Sequence, residues 1–199
     1  MKILAFSDLH RDKEAARLIV AASAEADVVI GAGDFATRRE GLADTLDVLH
    51  GCSAPMIFVH GNHDDADEIE QACKGHDLWH YLQGNECAIG GQIFFGIGWE
   101  TPNAEDNAWL SPMSETRTMK ALRECPVGAV LVSHAPPFDV CDLGQDGMHY
   151  GSKALHRGIQ DWLPKLVLCG HIHNAWGHQG MIGDTPVHNL GPTLNWFNV

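Results

Sequence analysis

The side chains able to do chemistry in this sequence recur at one kind of place. Asp8 and His10, Asp34, Asn62 and His63, His134, and His171 and His173 each stand just past the end of an apolar run. Carboxylates, imidazoles and one amide form a mixed oxygen and nitrogen donor set. Such a set suits Mn²⁺, Fe²⁺ or Zn²⁺ and disfavours a thiolate-type site. These donors are too many for one tetrahedral ion. They suffice for two ions sharing a carboxylate, and two ions ~3.5–4 Å apart can clamp the attacking and leaving oxygens of an in-line displacement at phosphorus. His171 and His173 follow Leu166–Cys169, and on an extended backbone residues two apart face the same side, so both rings are expected to face one pocket.

The elements that must position these groups are legible from the pattern of apolar residues. Strands are expected at Lys2–Ser7, Asp27–Gly31 and Pro55–Val59, with a helix over Asp12–Glu25 and another over Arg39–His50. The first helix has helical spacing at Ala15, Leu18, Ile19 and Ala22, with Asp12 as its N-cap. Strand and helix in alternation is the rhythm of βαβ units and a parallel sheet. Past residue 80 the pattern changes. Glu86–Ile89 and Gln92–Ile97 flank Gly90-Gly91, a two-residue hairpin signal. Helices are expected at Ser114–Glu124, capped by Ser114, and at Ser152–Leu163, with buried strands at Gly128–Val132 and Leu166–Cys169. The tail, Trp176–Val199, suits closing antiparallel strands. Loops at Gly98–Pro112 and Asp139–Gly151 are long enough to shape a rim around the site. In open α/β sheets ligands bind beyond the carboxyl ends of the strands, where all the donors fall.

With 199 residues and no repeat or linker, the chain reads as one domain, 1–199. A formal charge of −13 disfavours gripping a long nucleic acid or an anionic membrane, because both attract basic surfaces. No CxxC pair occurs among the six cysteines, and several lie in or beside apolar runs, as expected of buried thiols in a reducing cytoplasm. Neither a signal-peptide core nor a membrane-spanning run is evident.

The blocks Asp8-Leu9-His10, Gly33-Asp34, Gly61-Asn62-His63-Asp64, Ser133-His134 and Gly170-His171-Ile172-His173 together resemble the calcineurin-like metallophosphoesterase family, in the family's order. That resemblance implies an α/β fold, a four-layer αββα sandwich of two mixed β-sheets flanked by helices. It implies a first metal ion on Asp8, His10 and His173, with Asp34 bridging to a second on Asn62, His134 and His171. It also implies a hydroxide shared between the ions as nucleophile, His63 as general acid at the leaving oxygen, and Asp64 as the acceptor that sets the imidazole's tautomer. The expected cofactors are two divalent metal ions, Mn²⁺ first and Fe²⁺ or Zn²⁺ as alternatives. The expected substrate is a small phosphodiester or phosphomonoester.

Two other readings compete. Related nucleases share the same blocks, and the retromer subunit of this fold is a scaffold whose site does no chemistry. Arg11, Arg38 and Arg39 lie just after donor blocks and could grip a phosphate oxygen, or simply be solvated. His149 could touch substrate from a Gly-rich loop, and Trp99, Trp109 and Trp176 could stack on a base or pack the core. The Trp and Met residues of the tail could bind a second copy of the chain. His50, His60, His76, His80 and His156 read as solvated or core residues.

Overall fold

The computed structural model describes residues 1–101 and 113–199. The loop expected to rim the site therefore falls largely outside the described residues, and so does Trp109. Apolar residues that alternate on strands with both faces buried produce two stacked sheets. The first sheet contains β1 (Lys2–Phe6), β2 (Val28–Ala32), β3 (Met56–Val59), β4 (Trp79–Tyr81) and β11 (Asn195–Asn198), in the order β11-β1-β2-β3-β4. The second contains β5 (Asn85–Ile89), β6 (Gln92–Ile97), β7 (Val130–Ser133), β8 (Leu166–Cys169), β9 (Gln179–Ile182) and β10 (Thr185–Asn189), in the order β5-β6-β7-β8-β10-β9. Neighbours are parallel except β11 on β1, β5 on β6 and β9 on β10.

Strand periodicity fixes the layers. In β1, Ile3 and Ala5 face the space between the sheets, with Val28, Ile30, Ile57, Phe94, Val130 and Leu168. Leu4 and Phe6 face the other way, toward α1 (Lys13–Ala22), α2 (Leu42–Leu49) and α3 (Ala66–Lys74). The outer face of the second sheet packs Phe95, Leu131 and Val167 against Leu122 of α4 (Glu115–Leu122) and Leu155 and Ile159 of α5 (Lys153–Trp162). The result is the four-layer αββα arrangement of two mixed sheets flanked by helices.

Caps set the helix starts, at Asp12 and Ser114 as expected and at Ser152 beyond the sequence reading. Asp12 accepts the N–H groups of Glu14 and Ala15, Ser114 that of Arg117, and Ser152 that of Leu155. Other details differ. The inward face of α1 is Ala16 and Ile19, whereas Leu18 is 58% exposed. Helix α2 begins at Leu42, not Arg39, because Arg38 and Arg39 adopt positive φ (52° and 62°) in a turn closed between Thr37 and Glu40. The tail is not wholly antiparallel: β10 runs parallel to β8. Helix α3 and β4 go beyond the sequence reading. Asp65 caps α3, accepting the Asp67 and Glu68 N–H groups, directly after the Asn62–Asp64 donors. Met181 and Trp196 of the tail are exposed.

This assignment of the α1 face is testable by urea denaturation. Ile19→Ala should cost about 2–5 kcal/mol, and Leu18→Ala should stay within about 0.5 kcal/mol.

Candidate metal centre

Five strands release the donors at one end of the two sheets. From the first sheet, β1 leads to Asp8 and His10, β2 to Asp34, and β3 to Asn62 and His63; from the second, β7 leads to His134 and β8 to His171 and His173. The first two loops are laced together, since Asp8, His10 and Arg11 donate their N–H groups to the carbonyls of Gly33, Asp34 and Phe35 at 2.9–3.0 Å. Asp8, His10, Asp34 and His171 all adopt left-handed backbone (φ 55°, 45°, 58° and 69°). Each such residue costs roughly 1–2 kcal/mol, and strain of this kind gathers at functional sites.

Two glycines of the blocks are required by close approach. A Cβ on Gly61 would collide with Asp34 Oδ1, and one on Gly170 would collide with Ser7 Oγ and Asp8 Oδ2.

The donors form three overlapping groups whose atoms lie within 4.8 Å of one another: Asp8, His10 and His173; His10, Asp34 and His63; Asp34, His134 and His171. Asp34 Oδ2 stands 3.6 Å from His10 Nε2 and 3.5 Å from His134 Nε2. Asn62 Oδ1 is 3.0 Å from His134 Nε2, and His173 Nε2 is 3.1 Å from His10 Nε2. Carbonyls set the tautomers of two rings. His134 Nδ1–H donates to Ala32 O at 2.8 Å and His10 Nδ1–H to Ala36 O at 3.2 Å. In each neutral ring Nε2 then carries a lone pair aimed at other donors. Lone pairs that face one another at hydrogen-bond distance fit a cation between them.

Electrostatics point the same way. Burial pushes the Asp8 carboxyl up to about 7. Burial, then the nearby Asp64 and Asp8 charges, pushes Asp34 well above the carboxylate range. Burial also holds His134 well below its usual value and pushes His171 down to about 3, with the neighbouring rings adding to it. A divalent cation would ionise those acids and bind those imidazoles in the neutral form they already hold. The residues present therefore fit a pair of metal ions.

Some expectations need correction. His171 and His173 do enter the site, but not from an extended strand: His171 is left-handed and His173 opens a 3-10 turn. Asp64 does not set the His63 tautomer. Its buried carboxylate accepts the backbone N–H groups of Asp34, Ala36 and Gly61, each at 2.8 Å. The His63 ring instead receives the Arg38 N–H at Nδ1, 3.0 Å away, which leaves the neutral ring's proton on Nε2. Burial, with His10, His173 and Arg38 nearby, pushes His63 down to about 4. That shift favours the neutral ring, which presents its N–H from Nε2.

Arg11 and Arg38 line an open pocket of ≈ 540 Å³ with His10, His63 and His173, whereas Arg39 lies 3.8 Å from Asp65 and is not part of that lining. His149 lines a separate pocket, held by Asp142 at 2.7 Å. Trp99 packs against His60, and His60 is fully buried.

Three functional residues escaped the sequence reading. Ser7 Oγ–H and Trp176 Nε1–H both donate to Asp8 Oδ2, the latter at 3.1 Å, and the Trp176 ring lies 4.3 Å from that of His173. Glu100 is buried with Oε1 3.8 Å from His171 Nε2. Ser7 adjoins a donor block and was findable; Trp176 was expected to stack on a base or pack the core, not to hold Asp8, and nothing local marks Glu100.

The family model for calcineurin-like phosphoesterases matches residues 1–175. The chain belongs to that family. Its members are dinuclear-metal-dependent, and the His and Asp groups described above could hold such ions. The fold recurs in solved structures. TT1561 of Thermus thermophilus superposes with a TM-score of 0.73 at 18% identity, covering 99% of this chain and 98% of its own. Phosphopantetheinyl hydrolase (PptH) of Mycobacterium tuberculosis gives 0.64 at 17% identity, over 96% and 90%. A dimetal phosphatase of Danio rerio gives 0.63 at 13% identity, over 96% and 88%. None of the curated proteins matches the chain in sequence.

Trp176 touches two donors of one group, so Trp176→Leu should weaken Mn²⁺ binding at the first ion roughly ten- to a hundredfold and leave the second ion's affinity nearly unchanged. Calorimetric titration of the metal-free protein resolves the two affinities.

Proposed function

We propose that this chain hydrolyses a small phosphate ester at two divalent cations, one held by Asp8, His10 and His173, the other by Asn62, His134 and His171, with Asp34 between them. One observation carries the reading: a single Asp34 oxygen lies within 3.6 Å of a ring nitrogen from each donor group. When bound, such cations supply Lewis-acid charge to phosphoryl oxygens and acidify water.

The chain's own residues do the rest. Asp34 spends Oδ1 on the His63 N–H at 2.9 Å, which leaves Oδ2 for the ions. His63 donates its Nε2–H to the leaving oxygen and stabilises the charge that grows there. Arg38 fixes that proton's position through its own backbone N–H. Asp64 holds the two donor loops at a common distance and acts as a positioning residue. A diester is the favoured substrate, because a donor at the leaving oxygen matters most for a poor alkoxide, and ≈ 540 Å³ stands open beside His63. The family and the structural neighbours include phosphatase and hydrolase members alike, so the fold by itself does not choose between ester classes. Mn²⁺ is the favoured ion for donors without a thiolate. No described helix is long and apolar enough to cross a membrane, and the free cysteines suit a cytoplasmic location. The net charge of −13 favours a small ester over a long nucleic acid.

Chelated protein should show no turnover of bis-p-nitrophenyl phosphate, and Mn²⁺ should restore it. At a hundredfold excess over Kd, the metal adds about 2.7 kcal/mol of stability, or roughly 5–10 °C in Tm for a chain of this size. No turnover with any divalent metal would refute the enzymatic reading.

His63→Ala should lower kcat by about 10²–10³-fold with two metals retained by elemental analysis, and His63→Gln, which keeps an N–H donor, should recover part of the loss. Metal loss in His63→Ala would make His63 a ligand.

A further inference from the structure

We propose that Arg11 makes this site select phosphate esters whose leaving group carries a second anionic group, a second phosphate above all. The proposal rests on the phosphoesterase reading and adds the substrate class to it.

Arg11 is built into the pocket rather than hung at its edge. Its backbone is left-handed (φ 72°) and its N–H bonds to Phe35 O at 3.0 Å, directly after the donor His10. The side chain then lies along Gly41. A Cβ on that glycine would stand 2.6 Å from Arg11 Nε and 3.0 Å from its Cδ, so the loop before α2 is shaped to the arginine stem. The guanidinium reaches Glu40, Nη1 to Oε2 at 3.8 Å, and is about half exposed. It makes no ion pair with Asp8 or Asp34, so it stands off from the cation-binding donors. A long, water-exposed pair of this kind is weak. A phosphate, which accepts the planar fork in two hydrogen bonds, displaces Glu40 with a net gain.

The surroundings define what fits. Arg11, Thr37, Arg38 and Glu40 line the same pocket as His63, so a leaving group served by His63 lies within their reach. The described residues that line this pocket are Thr37, Glu40, two arginines and three histidines, so charged and polar groups set what is recognised there. An anionic leaving group meets guanidinium groups. Arg39 is the internal contrast: it has a similar backbone twist (φ 62°) but lies 3.8 Å from Asp65 and is outside this lining.

The test compares orthophosphate and pyrophosphate as competitive ligands of the metal-loaded protein, at buffered, saturating Mn²⁺, by calorimetry and by inhibition of bis-p-nitrophenyl phosphate turnover. Wild-type protein should bind pyrophosphate more tightly. Arg11→Ala should weaken pyrophosphate by roughly ten- to a hundredfold, the range of a charge-assisted hydrogen bond, and change orthophosphate by less than about threefold. Arg11→Lys should fall between, and Glu40→Gln should tighten pyrophosphate. Equal weakening of both anions would put Arg11 on the reacting phosphoryl group and overturn the proposal. No change in either would leave Arg11 a solvated residue and overturn it as well. If no ester is turned over while the anion selectivity and its loss in Arg11→Ala persist, the catalytic reading fails and the binding assignment stands. A wild-type protein that binds neither anion defeats both.

Discussion

Asp8, Asp34 and Asp64 are all buried, and the cost of ionising them away from water, to which their mutual repulsion adds, is the constraint around which the site is arranged. Two like charges about 4 Å apart repel by roughly 4 kcal/mol at an effective dielectric of 20, more than any one hydrogen bond returns. The fold answers for each acid differently. Asp64 receives three backbone amides. Asp8 receives a hydroxyl, an indole N–H and the His171 amide. Asp34 receives only the His63 amide, on Oδ1, and its other oxygen faces imidazole nitrogens that resist protonation. The position left without protein compensation is the midpoint of the site, and that is where external positive charge has the most to offer.

Backbone geometry carries much of the remaining cost. Four donors sit at positive φ without being glycine, while the true glycines serve proximity: Gly61 lets Asp34 approach, and Gly170 lets the β8 loop close on Ser7 and Asp8. The strain is sustained because the loops bond to one another, Asp8 to Gly33 and His10 to Asp34, before any ligand arrives. The pocket is thus preorganised by short main-chain bonds between neighbouring loops and by the Asp64 carboxylate that ties Gly61 to Asp34.

Much of this was legible in the residues. Apolar runs followed by Asp or His placed the donors at strand ends, because a parallel strand buried on both faces needs an uninterrupted apolar stretch and stops where polarity returns. Caps at Asp12 and Ser114 marked helix starts because their side chains bond within three residues, a purely local event. What escaped was non-local or competing. Trp176 meets Asp8 across 168 residues of chain. Leu18 reads as core by composition, yet the direction of α1 turns it outward. Asp64 follows His63 in sequence, which suggested a partnership with the ring, but a turn at Gly61 points its carboxylate back into the loops. The αL residues at Arg38 and Arg39 delayed α2, and no propensity marks arginine for that conformation.

The donors also come from both sheets, β1, β2 and β3 on one side and β7 and β8 on the other. A cation seated at their common end would tie one half of the sandwich to the other at a point where side-chain packing gives way to solvent. Metal content in this architecture would then be a mechanical variable as well as a chemical one, a rivet through the seam between the two sheets.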